Sequence, residues 1–218
     1  DVCSSDLVII KFPDFYAISV SAGLTHSTVT SGGFRVTTFT AGTGTVSFSQ
    51  AVANDYVLIG TTYLSSSQAS VTFELTGLSG TYKHLQIRYT GRASRSGATT
   101  DPMIIKLNGS TQTYGHHLFG NGSSVGSGNI ATSYSLLDAI TGATAPANAF
   151  GAGVIDILDP FVTTKNKTIR AFTGANTVVA LSSTFWNSTS AVTSITLSSF
   201  SATDFLANSR FSIYGIKG

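Results

Sequence analysis

The chain has 218 residues, 42% of them hydrophobic, which is enough for one β-sandwich with a small extra module and too little for two full domains. Only 10% are charged, well below the average globular share, so the polar surface has to be built from Ser, Thr, Asn and Gly. The net charge of +2 is spread over scattered Lys and Arg without interleaved aromatics, which argues against nucleic acid or another anionic polymer as partner, and the single Cys3 excludes an internal disulfide framework.

The first seven residues, DVCSSDL, look like a translated cloning or sequencing-adapter scar, with native sequence as the alternative; on the first reading an upstream segment is missing. No apolar run approaches the length of a membrane-spanning helix, and Leu7 to Ile10 is too short for a signal-peptide core, so neither membrane insertion nor standard export is expected. From Val8 to Ala22 short apolar runs punctuated by Pro13-Asp14 predict short strands or an extended arm. Gly32 to Phe48 reads as two alternating segments joined by an Ala-Gly-Thr-Gly turn, a predicted hairpin. Residues 1–54 are therefore expected to form an arm and hairpin connector.

The main domain is expected over residues 55–218. Tyr56 to Gly60 is a compact apolar strand; Val71, Phe73 and Leu75 alternate with Thr72 and Glu74; Leu85, Ile87 and Tyr89 alternate with His84, Gln86 and Arg88. Met103 to Leu107 leads into Asn108-Gly109, the pair that two-residue hairpin turns demand. Ser110 to Asn129 is rich in glycine and lacks periodicity, so it reads as a long loop, and Ser135 to Asp138 is the one place where a helical turn fits. Phe150 to Leu158, Thr168 to Phe172 and Thr177 to Trp186 are strand-like. Ala191 to Gly218 is expected to be a closing hairpin, with Phe205 and Leu206 folded back as a hydrophobic lid. The fold expected is all-β: an antiparallel β-sandwich, jelly-roll-like, with a small N-terminal β-hairpin or arm.

No catalytic, cofactor or metal residues emerge. His116-His117, His26 and His84 lack Cys or carboxylate neighbours at ligand spacing. The carboxylates are too dispersed to nominate a hydrolase pair, and no nucleophile elbow or phosphate loop is present. Arg92, Arg95 and Asp101 are read as a structural ion-pair cluster. Tyr114, His116, His117 and Phe119 in the long loop, together with Trp186, are the candidate surface-contact residues, because binding residues concentrate on loops held by a rigid scaffold. For Trp186 the competing reading is core or interface.

Two resemblances follow from the motifs. GGFRVTTFTAGTGTVSF, Gly32 to Phe48, resembles a hairpin of glycine-rich tail proteins of bacteriophages. From Leu58 onward the series LIGTTYLSSSQASVTF, YKHLQIRYTGRASRS, DPMIIKLNGS, YGHHLFGNGSS, ANAFGAGVIDILDP, FWNSTSAVTSITL and NSRFSIYGIKG resembles β-sandwich structural proteins of tailed bacteriophages. That resemblance implies a non-enzymatic virion protein of tail-fibre, baseplate or capsid-decoration type. It would be homo-oligomeric with a trimer favoured, would contact other virion proteins and in some cases a host-surface glycan, and needs no cofactor. The alternative is a carbohydrate-binding module of a secreted bacterial protein.

Overall fold

A computed structural model describes residues 7–50, 55–110, 113–120, 125–131 and 135–218. The chain divides into two compact units, Asp1–Asn54 and Asp55–Gly218. Among the described residues there is no helix.

The first unit holds β1 (Val8–Pro13), β2 (Tyr16–Val20), β3 (Leu24–Ser31), β4 (Phe34–Gly42) and β5 (Val46–Gln50). β1, β4 and β3 form one sheet in that order, and β2 pairs with β5 in a second. The expected hairpin over Gly32 to Phe48 is corrected. Both edges of β4 are already occupied, by β1 and β3, so β5 has no free edge there and pairs with β2. The tight turn lies one strand earlier, at Gly32-Gly33 between β3 and β4. Both of these residues have positive φ, 59° and 80°, a conformation glycine adopts without a Cβ penalty.

The second unit holds β6 (Tyr56–Tyr63), β7 (Ser70–Glu74), β8 (His84–Gly91), β9 (Thr100–Leu107), β10 (Thr113–Gly120), β11 (Val125–Ala131) and β12 (Ser135–Thr141). It continues with β13 (Gly151–Leu158), β14 (Lys167–Ala175), β15 (Val178–Trp186), β16 (Ser194–Ser199) and β17 (Arg210–Ile216). It is an antiparallel sandwich. One sheet has eight strands in the order β11-β10-β15-β14-β13-β8-β17-β6, and the other four in the order β12-β9-β16-β7. Strand pairing is nested: β6 with β17, β7 with β16, β8 with β13 and β9 with β12. The hairpins β14-β15 and β10-β11 extend the larger sheet beyond this frame.

The alternation read from sequence places the core. Leu85, Ile87 and Tyr89 of β8, Ile155 and Ile157 of β13, and Phe211 and Ile213 of β17 face Val71 and Phe73 of β7, Met103, Ile105 and Leu107 of β9, and Ile195 and Leu197 of β16. Removing that apolar area from water is the main driving force for the fold.

Three further expectations change. Ala191 to Gly218 is not a hairpin: β16 lies between β7 and β9 in one sheet and β17 between β6 and β8 in the other. The connection crosses from sheet to sheet, and Phe205 fills the core there, its ring centroid 4.9 Å from that of Phe211, while its backbone bridges Gln68. Leu206 is only half-buried. The Ser110 to Asn129 stretch is not one loop but carries β10 and most of β11, paired antiparallel, whose glycines Gly115, Gly126 and Gly128 erase the side-chain alternation while the backbone ladder from β10 to β15 holds the strand. Ser135 to Asp138 is strand β12 and not a helical turn. Leu137 and Ile140 are both fully buried because a bulge between them, with Ala139 at φ 67°, converts a period of two into a spacing of three.

Candidate binding surface

Several buried polar side chains in this sandwich act as clasps. Arg92 follows β8 and is 9% exposed; its guanidinium donates to the carbonyls of Ala143 (2.9 Å), Ala145 (2.9 Å), Pro146 (2.7 Å) and Ala149 (2.9 Å) and so shapes the connection from β12 to β13. The expected Arg92–Arg95–Asp101 cluster is corrected in part. Arg95 lies 3.6 Å from Asp101, while Arg92 is satisfied by carbonyls instead. Asp101 is fully buried and accepts from the hydroxyls of Ser199 (2.6 Å), Ser201 (2.7 Å) and Thr203 (2.9 Å), pinning the crossover after β16. Asn108, at φ 53° beside Gly109 at φ 69°, makes the expected tight turn, and its side chain ties the start of β16 to the turn.

Trp186 is a correction. It is 3% exposed at the end of β15, on the inward side of a strand whose burial alternates, and its neighbour Phe185 is the residue that faces out. Lys167, directly opposite in register and fully buried, places its ammonium 5.9 Å from the Trp186 ring. It donates to the carbonyls of Lys165 (3.0 Å) and Thr189 (3.0 Å). Burial holds this amine below the ordinary lysine range. Tyr114, His116, His117 and Phe119 belong to β10 and not to a loop. Their backbone registers against Phe185, Ser183, Ser182 and Ala180, while their side chains lie outside the described set. His84 is the first residue of β8, its Nδ1 accepting from the Asp159 backbone at 3.2 Å. The Asp159 carboxylate is held below the usual range, chiefly by the hydrogen bond from Lys165 at 2.6 Å.

The outer face of the eight-stranded sheet was not singled out by sequence, and it carries two side-chain rows in register. One runs Thr61, Ser212, Arg88, Val154, Phe172, Leu181 across β6, β17, β8, β13, β14 and β15. The other runs Leu58, Tyr214, Gln86, Asp156, Arg170, Ser183. In the second row the Tyr56 hydroxyl, next to Tyr214, donates to Gln86 Oε1, Gln86 Nε2 donates to Asp156 at 2.8 Å, and Arg170 lies 3.5 Å from Asp156. Burial raises the Tyr56 hydroxyl above its ordinary range. Tyr56 and Tyr214 stack at 4.7 Å, and the Arg88 guanidinium sits 5.1 Å and 5.8 Å from their rings while its Nε donates to Gln86 at 2.9 Å. The signal that could have revealed this face is the polar side of strands already read as alternating: Gln86, Arg88, Ser212 and Tyr214.

Among the described residues of the first unit Phe12 and Phe39 are the buried hydrophobics, Ile10, Ile18, Val20, Leu24, Val36 and Val46 are half-buried, and Val8, Ile9, Phe15, Val29, Phe34 and Phe48 are exposed. An apolar hollow of about 440 Å³ opens between Val8, Ile10, Leu24, Phe39 and Val46.

No family model matches this chain, and the comparisons with curated proteins and with solved structures find no match.

Proposed function

We propose that the chain is a non-enzymatic structural protein of a tailed-bacteriophage virion, a tail-fibre, baseplate or capsid-decoration component in which the N-terminal unit joins copies and the sandwich is displayed on the particle. The motif series from Leu58 to Gly218 supplies the virion context. The observation that carries the assembly role is the contrast between the two cores. The sandwich closes an apolar interior with its own strands, whereas among the described residues of the first unit only two phenylalanines are buried hydrophobics, Ile10, Ile18, Val20, Leu24, Val36 and Val46 are half-buried, and several large apolar side chains and a hollow are exposed. So small a unit with so thin a core draws stability from neighbours, and three copies in a fibre would supply them. The nested pairing of first strand with last supports reading the sandwich as a jelly roll, a scaffold that presents one sheet face outward. The runner-up reading, a carbohydrate-binding module, loses Trp186 as its platform because that ring is core.

The test is direct. Peptides of the chain are to be recovered by mass spectrometry from purified particles, and antibody against the sandwich is to decorate those particles in electron micrographs. Absence of the chain from washed particles overturns the reading.

A further inference from the structure

On the outer face of the eight-stranded sheet two depressions meet at Arg88. The first, about 220 Å³, is lined by Arg88, Thr90, Arg210, Ser212 and Tyr214. Its lining residues include two arginines and several that carry hydroxyls, and no acid. Asp156, the acid of the neighbouring row, is already engaged by Gln86 and Arg170, and among the described residues no acid pairs with Arg88 or Arg210. The second, about 460 Å³, is lined by Arg88, Ala152, Gly153, Val154, Phe172 and Gly174 and is apolar, with the Phe172 side chain 56% exposed. Arg88 is held at the boundary. Two tyrosine rings flank its guanidinium and Gln86 fixes its Nε, which leaves the terminal amino groups presented in a set plane.

An exposed arginine ordinarily gives up side-chain entropy when it binds; here much of that ordering is already done. β8 and β17 are interior strands with both edges paired, so no peptide can add to the sheet here and recognition has to go through side chains. The low charge of the chain as a whole makes this local pair of cations stand out.

We infer that this surface binds an anionic saccharide: the acidic group sits in the Arg88–Arg210 depression, and an adjoining sugar ring lies over Val154 and Phe172. Arg88 and Phe172 stand two strands apart in the same row, about 10 Å at the usual strand spacing, a distance a disaccharide covers. Planar carboxylate or sulfate oxygens match the guanidinium fork, and the apolar face of a pyranose matches an exposed phenyl ring. The inference stands on this geometry alone and does not depend on the virion reading.

Calorimetric titration of the full chain with oligogalacturonate, a heparin-derived oligosaccharide and neutral maltodextrin decides it. At least one acidic oligosaccharide is expected to bind, more weakly as salt rises, with maltodextrin inert. Binding of oligogalacturonate identifies a carboxylate as the anion, and binding of the heparin fragment alone identifies a sulfate. Arg88→Gln and Phe172→Ala each weaken that binding about tenfold or more, while Lys106→Gln on the opposite sheet leaves it unchanged. If Arg88→Gln loses its thermal transition, Arg210→Gln takes its place with the same expectation. Failure of both acidic ligands to bind, equal binding of maltodextrin, or affinity unmoved by these substitutions overturns the inference.

Discussion

Arg92 shows how much one side chain organises in a protein poor in charge. Its guanidinium satisfies four backbone carbonyls of a single connection, with no carboxylate to offset its burial. A planar fork with donors on both amino groups meets that geometry; a compact ammonium does not. Arg92→Ala is expected to destabilise the sandwich by about 3 kcal/mol in urea unfolding, since it strips charge-assisted bonds from buried carbonyls, and Arg92→Lys to recover less than half of that loss. Equal stability of Arg92→Lys and the native chain would contradict this account. Lys167 plays the same part at the start of β14, its ammonium 5.9 Å from the Trp186 ring; that tryptophan is core, the alternative read for it from its apolar strand, and not a contact residue.

At the scale of the element, β12 is the clearest case of a pattern that misleads for a physical reason. Its large buried apolar residues among those described, Leu137 and Ile140, stand three apart, which in sequence suggests a helix, and the bulge supplies the missing step. Ala139 bears the cost, a left-handed backbone with a Cβ. Ala139→Gly is expected to raise stability by about 1 kcal/mol by relieving that conformation, seen as a higher denaturation midpoint with unchanged slope; a loss of stability would show that the bulge is not strained. The two mistaken hairpins share a different cause. Gly32 to Phe48 and Ala191 to Gly218 each hold two alternating segments with turn residues between them, yet in each case the edges that would have to meet are taken by other strands. Turn chemistry reports that the chain can reverse and not which neighbour it will find.

For the whole molecule, the two units divide the labour. The sandwich owns its core, and the first unit leaves several large apolar side chains exposed. Sedimentation equilibrium at micromolar concentration is expected to give three times the 22.6 kDa chain mass. Val8→Lys combined with Val29→Lys, both at exposed positions where a surface change costs the single chain little, is expected to give the monomer mass. A native chain that sediments as a monomer would sink the assembly role of the first unit while leaving the sandwich and its saccharide face untouched.

From its sequence alone the chain determined its class and its inside. Alternating apolar residues at Val71 to Leu75 and Leu85 to Tyr89 fall in the core as read, and Asn108-Gly109 turns where it should, because burial period and positive φ are local properties of the chain. Tertiary structure decided the rest. Which strands share an edge, whether Trp186 or Phe185 faces water, and that Arg88, Arg210, Val154 and Phe172 from four strands meet on one surface all depend on pairings between residues far apart in sequence. Those pairings are set by the competition of every strand for a limited number of free edges, and no local stretch of sequence records its outcome.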